Sequence, residues 1–137
     1  MTEAVEKVRA IPLFAGLDDD ALERVVSLFS EVEAPAGQVI VEHGHPGSGM
    51  FLLEEGTVSV ELRGGRVELG PGEFFGELSV LDRQPRNAMV AAAEQTSCLA
   101  LASWDFEQVL LEQPALTLAI LRGVATRLRQ VTESARH

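Results

Sequence analysis

The residues best equipped for chemistry lie in one run, Gly72-Glu73-Phe74-Phe75-Gly76-Glu77-Leu78-Ser79-Val80-Leu81-Asp82-Arg83-Gln84-Pro85-Arg86-Asn87-Ala88-Met89-Val90. Gly76 lets the backbone approach a ligand closely, and a turn of helix begun near Glu77-Leu78-Ser79 points unpaired N–H groups outward as an anion cradle. Phosphate is the natural occupant. Arg86 stands nine positions beyond Glu77, across the Pro85 turn, and can return to the same pocket with a planar donor fork for two phosphate oxygens. Glu77, an acceptor when ionised, suits a sugar hydroxyl. One anion site beside one hydroxyl-accepting carboxylate describes a nucleotide whose phosphate and ribose lie close together.

Competing chemistry is weaker. Glu77 and Arg86 could instead form a buried ion pair in a domain that binds no ligand, although the completeness of the run favours a site. His43 and His45, one residue apart after Gly37, imitate the first half of a cupin metal motif. The carboxylate expected three or four residues after His45 is missing, since Gly49 and Met50 stand there, and no histidine follows the Gly70-Pro71-Gly72 turn; His137 is the last residue. Loop histidines are the better reading, with no metal expected. No serine, cysteine or lysine occupies a recognisable nucleophile motif, so covalent catalysis is unsupported. Trp104, at the start of a helix, reads as a core plug rather than a platform for a base.

The elements that must position these residues follow from periodicity. Residues 1–30 place Val5, Val8, Leu22, Val25, Val26 and Phe29 at helical spacing, with Gly16-Leu17-Asp18-Asp19-Asp20 ending one helix and capping the next, which predicts two short helices. From Glu31 to Ser103 short period-two runs such as Val39/Val41, Val58/Val60/Leu62 and Val67/Leu69 alternate with glycine- and proline-rich turns. That spacing predicts a small barrel or jelly roll. After Trp104 the helical period returns, with a break at Pro114 and a long helix from about Ala115 to the end. Leu121, Val124, Leu128 and Val131 form an a/d-type stripe there. Being shorter than three heptads, the stripe is expected to pack on the chain's own barrel, with a homodimer through this helix as the alternative.

Composition narrows the partners. The chain has 137 residues, room for one ordinary domain. Its 21 acidic and 11 basic side chains give a formal charge of −10, which repels nucleic acid and anionic membrane surfaces unless the basic residues cluster. They do cluster: residues 115–137 carry four arginines and one glutamate, a net +3 that leaves −13 for the rest. A cationic helix near the favourable end of its own dipole is the simple explanation. The single cysteine, Cys98, cannot form an internal disulfide and lies in the apolar run Cys98-Leu99-Ala100-Leu101, which reads as a buried strand. With no signal peptide or membrane span in the sequence, a cytoplasmic setting is expected.

At this point the chain resembles the cyclic nucleotide-binding domain family, of the catabolite-activator and protein kinase A regulatory-subunit type. Phe75-Gly76-Glu77-Leu78-Ser79 followed by Pro85-Arg86-Asn87-Ala88 looks like the family's phosphate-binding cassette. The run from Gly44 to Gly56 is similar to its earlier glycine-marked hairpin, and Trp104-Asp105-Phe106 with the Pro114 break matches its closing helices. The resemblance implies a mainly β fold, a β-roll flanked by two short N-terminal helices, a cassette helix and a C-terminal helix pair. One domain is implied over residues 1–137: helices over 1–30, the roll over 31–103 with the cassette at 72–90, and helices over 104–137.

The resemblance also implies the ligand and its contacts. Gly76, Leu78 and Ser79 line the phosphate loop, Glu77 holds the ribose 2′-hydroxyl, Arg86 pairs with the cyclic phosphate, and Asn87 and Ala88 present backbone donors. At Met89 many members selective for cyclic GMP carry a threonine, which leans the reading towards cyclic AMP. Arg127 and Thr132 stand near positions that reach the base or the cassette glutamate in bacterial regulators. His45 departs from the acidic residue often found after the first hairpin glycine. The expected function is a regulatory sensor whose C-terminal helix responds to ligand, with no cofactor, no enzyme activity and an unidentified output protein. No helix-turn-helix follows within the sequence, so direct DNA binding is not expected. A degenerate interaction module without nucleotide is the first alternative and a cupin-type metalloenzyme the second.

Overall fold

The protein is described by a computed structural model covering residues 3–41, 49–62, 65–77 and 89–135. Four α-helices, a 3-10 turn and eight strands are found among the described residues. Helix α1 spans Glu3–Arg9, the 3-10 turn Pro12–Phe14 and α2 Asp19–Val26. The strands are β1 Ser30–Ala34, β2 Val39–Val41, β3 Gly49–Glu55, β4 Val58–Leu62, β5 Gly65–Leu69, β6 Phe74–Phe75, β7 Met89–Ala92 and β8 Thr96–Ala102. Helices α3, Ser103–Glu112, and α4, Pro114–Ala135, close the chain.

The strands form two antiparallel four-stranded sheets, ordered β1-β8-β3-β6 and β2-β7-β4-β5. Side chains alternate along each strand, so each sheet turns one apolar row inward. Leu53, Phe75 and Cys98 from the first sheet meet Val41, Val58 and Val90 from the second in one buried cluster, with Val32, Ile40, Phe51, Val60 and Leu69 packed at its margin. Burial of such side chains is worth roughly 1.5–3 kcal/mol each. The expected β-roll is therefore present, flanked by helices.

One detail corrects the sequence reading. Of the run Gly44–Gly56, residues 44–48 lie outside the described residues, and the remainder, β3, pairs with β6 and β8 and not with its neighbours in sequence, while β2 pairs with β7 and β4 with β5 and β7. Consecutive strands here change layers, and a turn that changes layers carries the same glycine signature as a hairpin turn. Gly56, at φ +89, makes the passage from β3 to β4.

The chain divides into two compact units, residues 28–107 and residues 1–27 with 108–137. The first is the roll. In the second, Asp18 caps α2 by accepting a 2.8 Å hydrogen bond from the Ala21 amide, and Asp19 and Asp20 sit in the first turn, where the helix dipole favours acids. Arg9 pairs with Asp19 at 2.7 Å, and Arg24 with Glu112 at 3.3 Å. Gly16 passes α4 so closely that a Cβ on it would stand 2.9 Å from that of Ala115. No single helix among the described residues is long and apolar enough to cross a membrane.

Trp104 is not a core plug. It is 72% exposed. On α3 the buried side chains are Phe106 and Val109, and at 100° per residue Trp104 falls on the opposite side of the helix.

Candidate functional site

The site grows from β6. Phe74 and Phe75 are buried and pair with Leu52 and Phe51 of β3, and the rings of Phe51 and Phe75 stack with centroids 5.1 Å apart. A two-residue strand needs further anchors, and the preceding turn supplies them. Leu53 accepts from the Gly72 amide at 2.8 Å and donates to the Glu73 carbonyl at 2.9 Å, while the Glu73 carboxylate accepts from the Gly70 amide at 2.7 Å. Sequence reasoning missed this latch. Its signal was a carboxylate three residues after the first glycine of a Gly-Pro-Gly turn, the spacing at which a side chain can bond back to the backbone.

From that anchored end the chain enters Gly76 at φ +86, a left-handed conformation that glycine adopts without steric cost. Glu77 follows, 2% exposed. Burying a carboxylate is expensive unless it is paired or hydrogen-bonded. On the far side the chain re-enters a sheet at Met89, opposite Glu61 of β4. Val90 points into the core cluster, and Met89, half-buried, shares with exposed Glu61 the opposite face of the sheet. The cassette thus leaves from one sheet and returns to the other.

Gly76, Glu77 and Met89 are placed in the roll. Leu78, Ser79, Arg86, Asn87, Ala88 and the expected cassette helix lie outside the described residues, as do His43 and His45. Arg127 and Thr132 belong to α4 in the helical unit. Arg127 is partly exposed; Thr132 is exposed, and its hydroxyl donates to the Leu128 carbonyl at 2.9 Å, the usual i−4 bond of a helical threonine. Among the described residues no group of three or more His, Cys, Asp or Glu side chains could hold a metal ion. Burial, with Glu54 and Glu33 nearby, pushes the Cys98 thiol up to about 11, which keeps it protonated at neutral pH and unsuited to nucleophilic work.

Comparison with known proteins agrees with this geometry. Residues 31–113 match the family model described as the cyclic nucleotide-binding domain. The chain is 41% identical over 128 residues to a cyclic nucleotide-gated potassium channel of Mesorhizobium japonicum, a match covering 93% of this chain and 36% of the channel. The crystal structure of the Thermus thermophilus catabolite activator protein superposes with a TM-score of 0.79 at 32% identity, covering 91% of this chain and 62% of that one. The regulatory subunit of a cAMP-independent protein kinase A from Trypanosoma brucei shares the fold, with a TM-score of 0.84 at 23% identity over 98% of this chain and 51% of that one. The chain spans about a third of the channels it matches. The match over residues 31–113, more than half of the chain and covering the strands of both four-stranded sheets, shows that the chain belongs to the cyclic nucleotide-binding domain family.

Proposed function

We propose that this chain is a cyclic nucleotide sensor that binds cyclic AMP in the cassette over residues 72–90 and transmits binding through its C-terminal helix. The observation that carries the reading is Glu77, a buried carboxylate fixed by the anchored β6 end and placed directly after Gly76. In this reading Glu77 accepts from the ribose 2′-hydroxyl. Gly76, Leu78 and Ser79 form the phosphate loop, Arg86 pairs with the cyclic phosphate, and Asn87 and Ala88 add backbone donors. Cyclic AMP is preferred because Met89 brings no hydroxyl to guanine. A relative from Thermus thermophilus, 33% identical over 129 residues, bears the name cyclic AMP receptor protein. Arg127 and Thr132 are the helix residues assigned to the ligand or to Glu77. The module binds and rearranges, and the proposal assigns it no reaction.

Calorimetric titration with cyclic AMP and cyclic GMP tests it. A charge-assisted contact from Arg86 contributes about 1.5–3 kcal/mol, so Arg86→Ala should weaken binding at least roughly tenfold while circular dichroism shows an unchanged fold. Unchanged affinity in the folded variant removes Arg86 from the site. Absence of binding by either nucleotide to the parent chain would leave an interaction module of the same fold.

A further inference from the structure

Helix α4 is apolar on two sides. Leu116 and Ile120 are buried and form its inner face. At 100° per residue, Leu118, Leu121, Ala125 and Leu128 fall within an arc of about 80° on the outer side. All four are exposed, the leucines by 46%, 56% and 66% in chain order. Their spacing of three, four and three is the a/d pattern of a helix–helix seam, and it corrects the expected stripe, because Leu121 and Leu128 are exposed and their seam runs through Leu118 and Ala125 rather than half-buried Val124. So narrow a stripe suits one helix, whereas a membrane-surface helix presents a broader apolar face.

Charge selects the occupant. Exposed Arg122 and Arg129 occupy the e positions beside the stripe, and α4 has no acidic residue before Glu133. In a parallel pair of α4 helices these arginines face Thr117 and Val124 of the other copy, and in an antiparallel pair they face each other. Neither arrangement supplies a counter-charge, and the seam covers about two heptads, short for a coiled coil that must hold itself together. The geometry points to a docking site on the outer face of α4 for an acidic amphipathic helix of a partner protein, whose leucine-type side chains fill the stripe and whose carboxylates meet Arg122 and Arg129. The assignment does not depend on nucleotide binding.

Fluorescence anisotropy with two labelled synthetic helices of about three heptads tests it, both with leucine at a and d, one with glutamate and one with lysine at e and g. The glutamate helix should bind the intact chain at least about tenfold more tightly, and the Arg122→Glu/Arg129→Glu variant should reverse that preference. Leu121→Ser/Leu128→Ser, which alters exposed positions and leaves the fold alone, should weaken binding of the glutamate helix at least about tenfold. Three results overturn the proposal: equal affinity for the two helices, no binding of the glutamate helix, or sedimentation showing a dimer of this chain that the serine variant converts to monomer. In the last case the stripe is occupied by a second copy.

Discussion

At Gly56 the backbone stands at φ +89, and a Cβ there would lie 2.5 Å from the Gln95 carbonyl oxygen and 2.6 Å from the Thr96 hydroxyl. That hydroxyl is itself committed, within 3.0 Å of the Thr57 carbonyl and 2.8 Å of that of Glu94, so the neighbour cannot yield. Gly37 has the same dihedral, +90, with nothing within 4 Å of its would-be Cβ. Gly37→Ala should therefore lose about 1–2 kcal/mol from the left-handed backbone alone. Gly56→Ala should lose a further 1–3 kcal/mol or so from overpacking, and thermal denaturation of the two variants separates the terms. Equal losses would mean that the Thr96 turn relaxes around the added methyl. Glu77 could be singled out in the sequence because its signal is local: a carboxylate next to a glycine that must turn, and both its burial and the left-handed Gly76 are found. Trp104 was misread because exposure of a helix residue depends on which face the rest of the fold covers, and a large apolar side chain carries no mark of that.

Among elements, α4 divides in two. Leu116 and Ile120 anchor its first turns, and beyond Ile120 none of its described residues is buried. A helix end with few anchors opens at low free-energy cost, so it exchanges its amide hydrogens readily. If Arg127 and Thr132 gain contacts with nucleotide or Glu77, the bound state alone rewards the ordered helix, which is the condition for a ligand to shift a population. Hydrogen exchange followed by mass spectrometry should then slow over residues 125–135, several-fold or more, together with the cassette at 75–89. Protection confined to the cassette would place the output surface on the roll. Long periodic elements such as α4 and β8 were legible from sequence, whereas the 3-10 turn at Pro12–Phe14 and the two-residue β6 were not. Elements of two or three residues contain no full period, and β6 exists because Phe51 and Leu52 offer it an edge. The layer-changing path of the strands was likewise invisible, since pairing partners lie far apart in sequence.

For the whole molecule the decisive quantity is the formal charge of −10. A cyclic nucleotide is an anion, so at long range the chain repels the ligand that its proposed cassette would attract at short range. The Debye length falls from about 30 Å at 0.01 M salt to about 8 Å at 0.15 M, which screens the first effect more than the second. Stopped-flow association of cyclic AMP should accordingly speed up with salt over that interval, by roughly two- to threefold, while dissociation changes less. An association rate that falls with salt would mean that a local basic field around the cassette governs the encounter. Composition made the net charge plain from the start, and the clustering of arginines in α4 was equally visible; what α4 does with them depended on knowing which of its faces is covered.

The helical unit draws on both ends of the sequence, residues 1–27 and 108–137. Its consequence is one of timing during synthesis. The 3-10 turn that carries Phe14 leaves the ribosome before the roll, but the α4 residues beside it, such as Ala115 next to Gly16, are made only after the 80 residues from Leu28 to Glu107. At about 5–20 residues per second the delay is several seconds. The roll has its own core and can form in that interval, whereas α1 and α2 must wait with Phe14 short of its final neighbours. Nascent chains halted before α4 should therefore be open to proteolysis at α1 and α2 while the roll resists, so that a segment made before the roll is secured only after it.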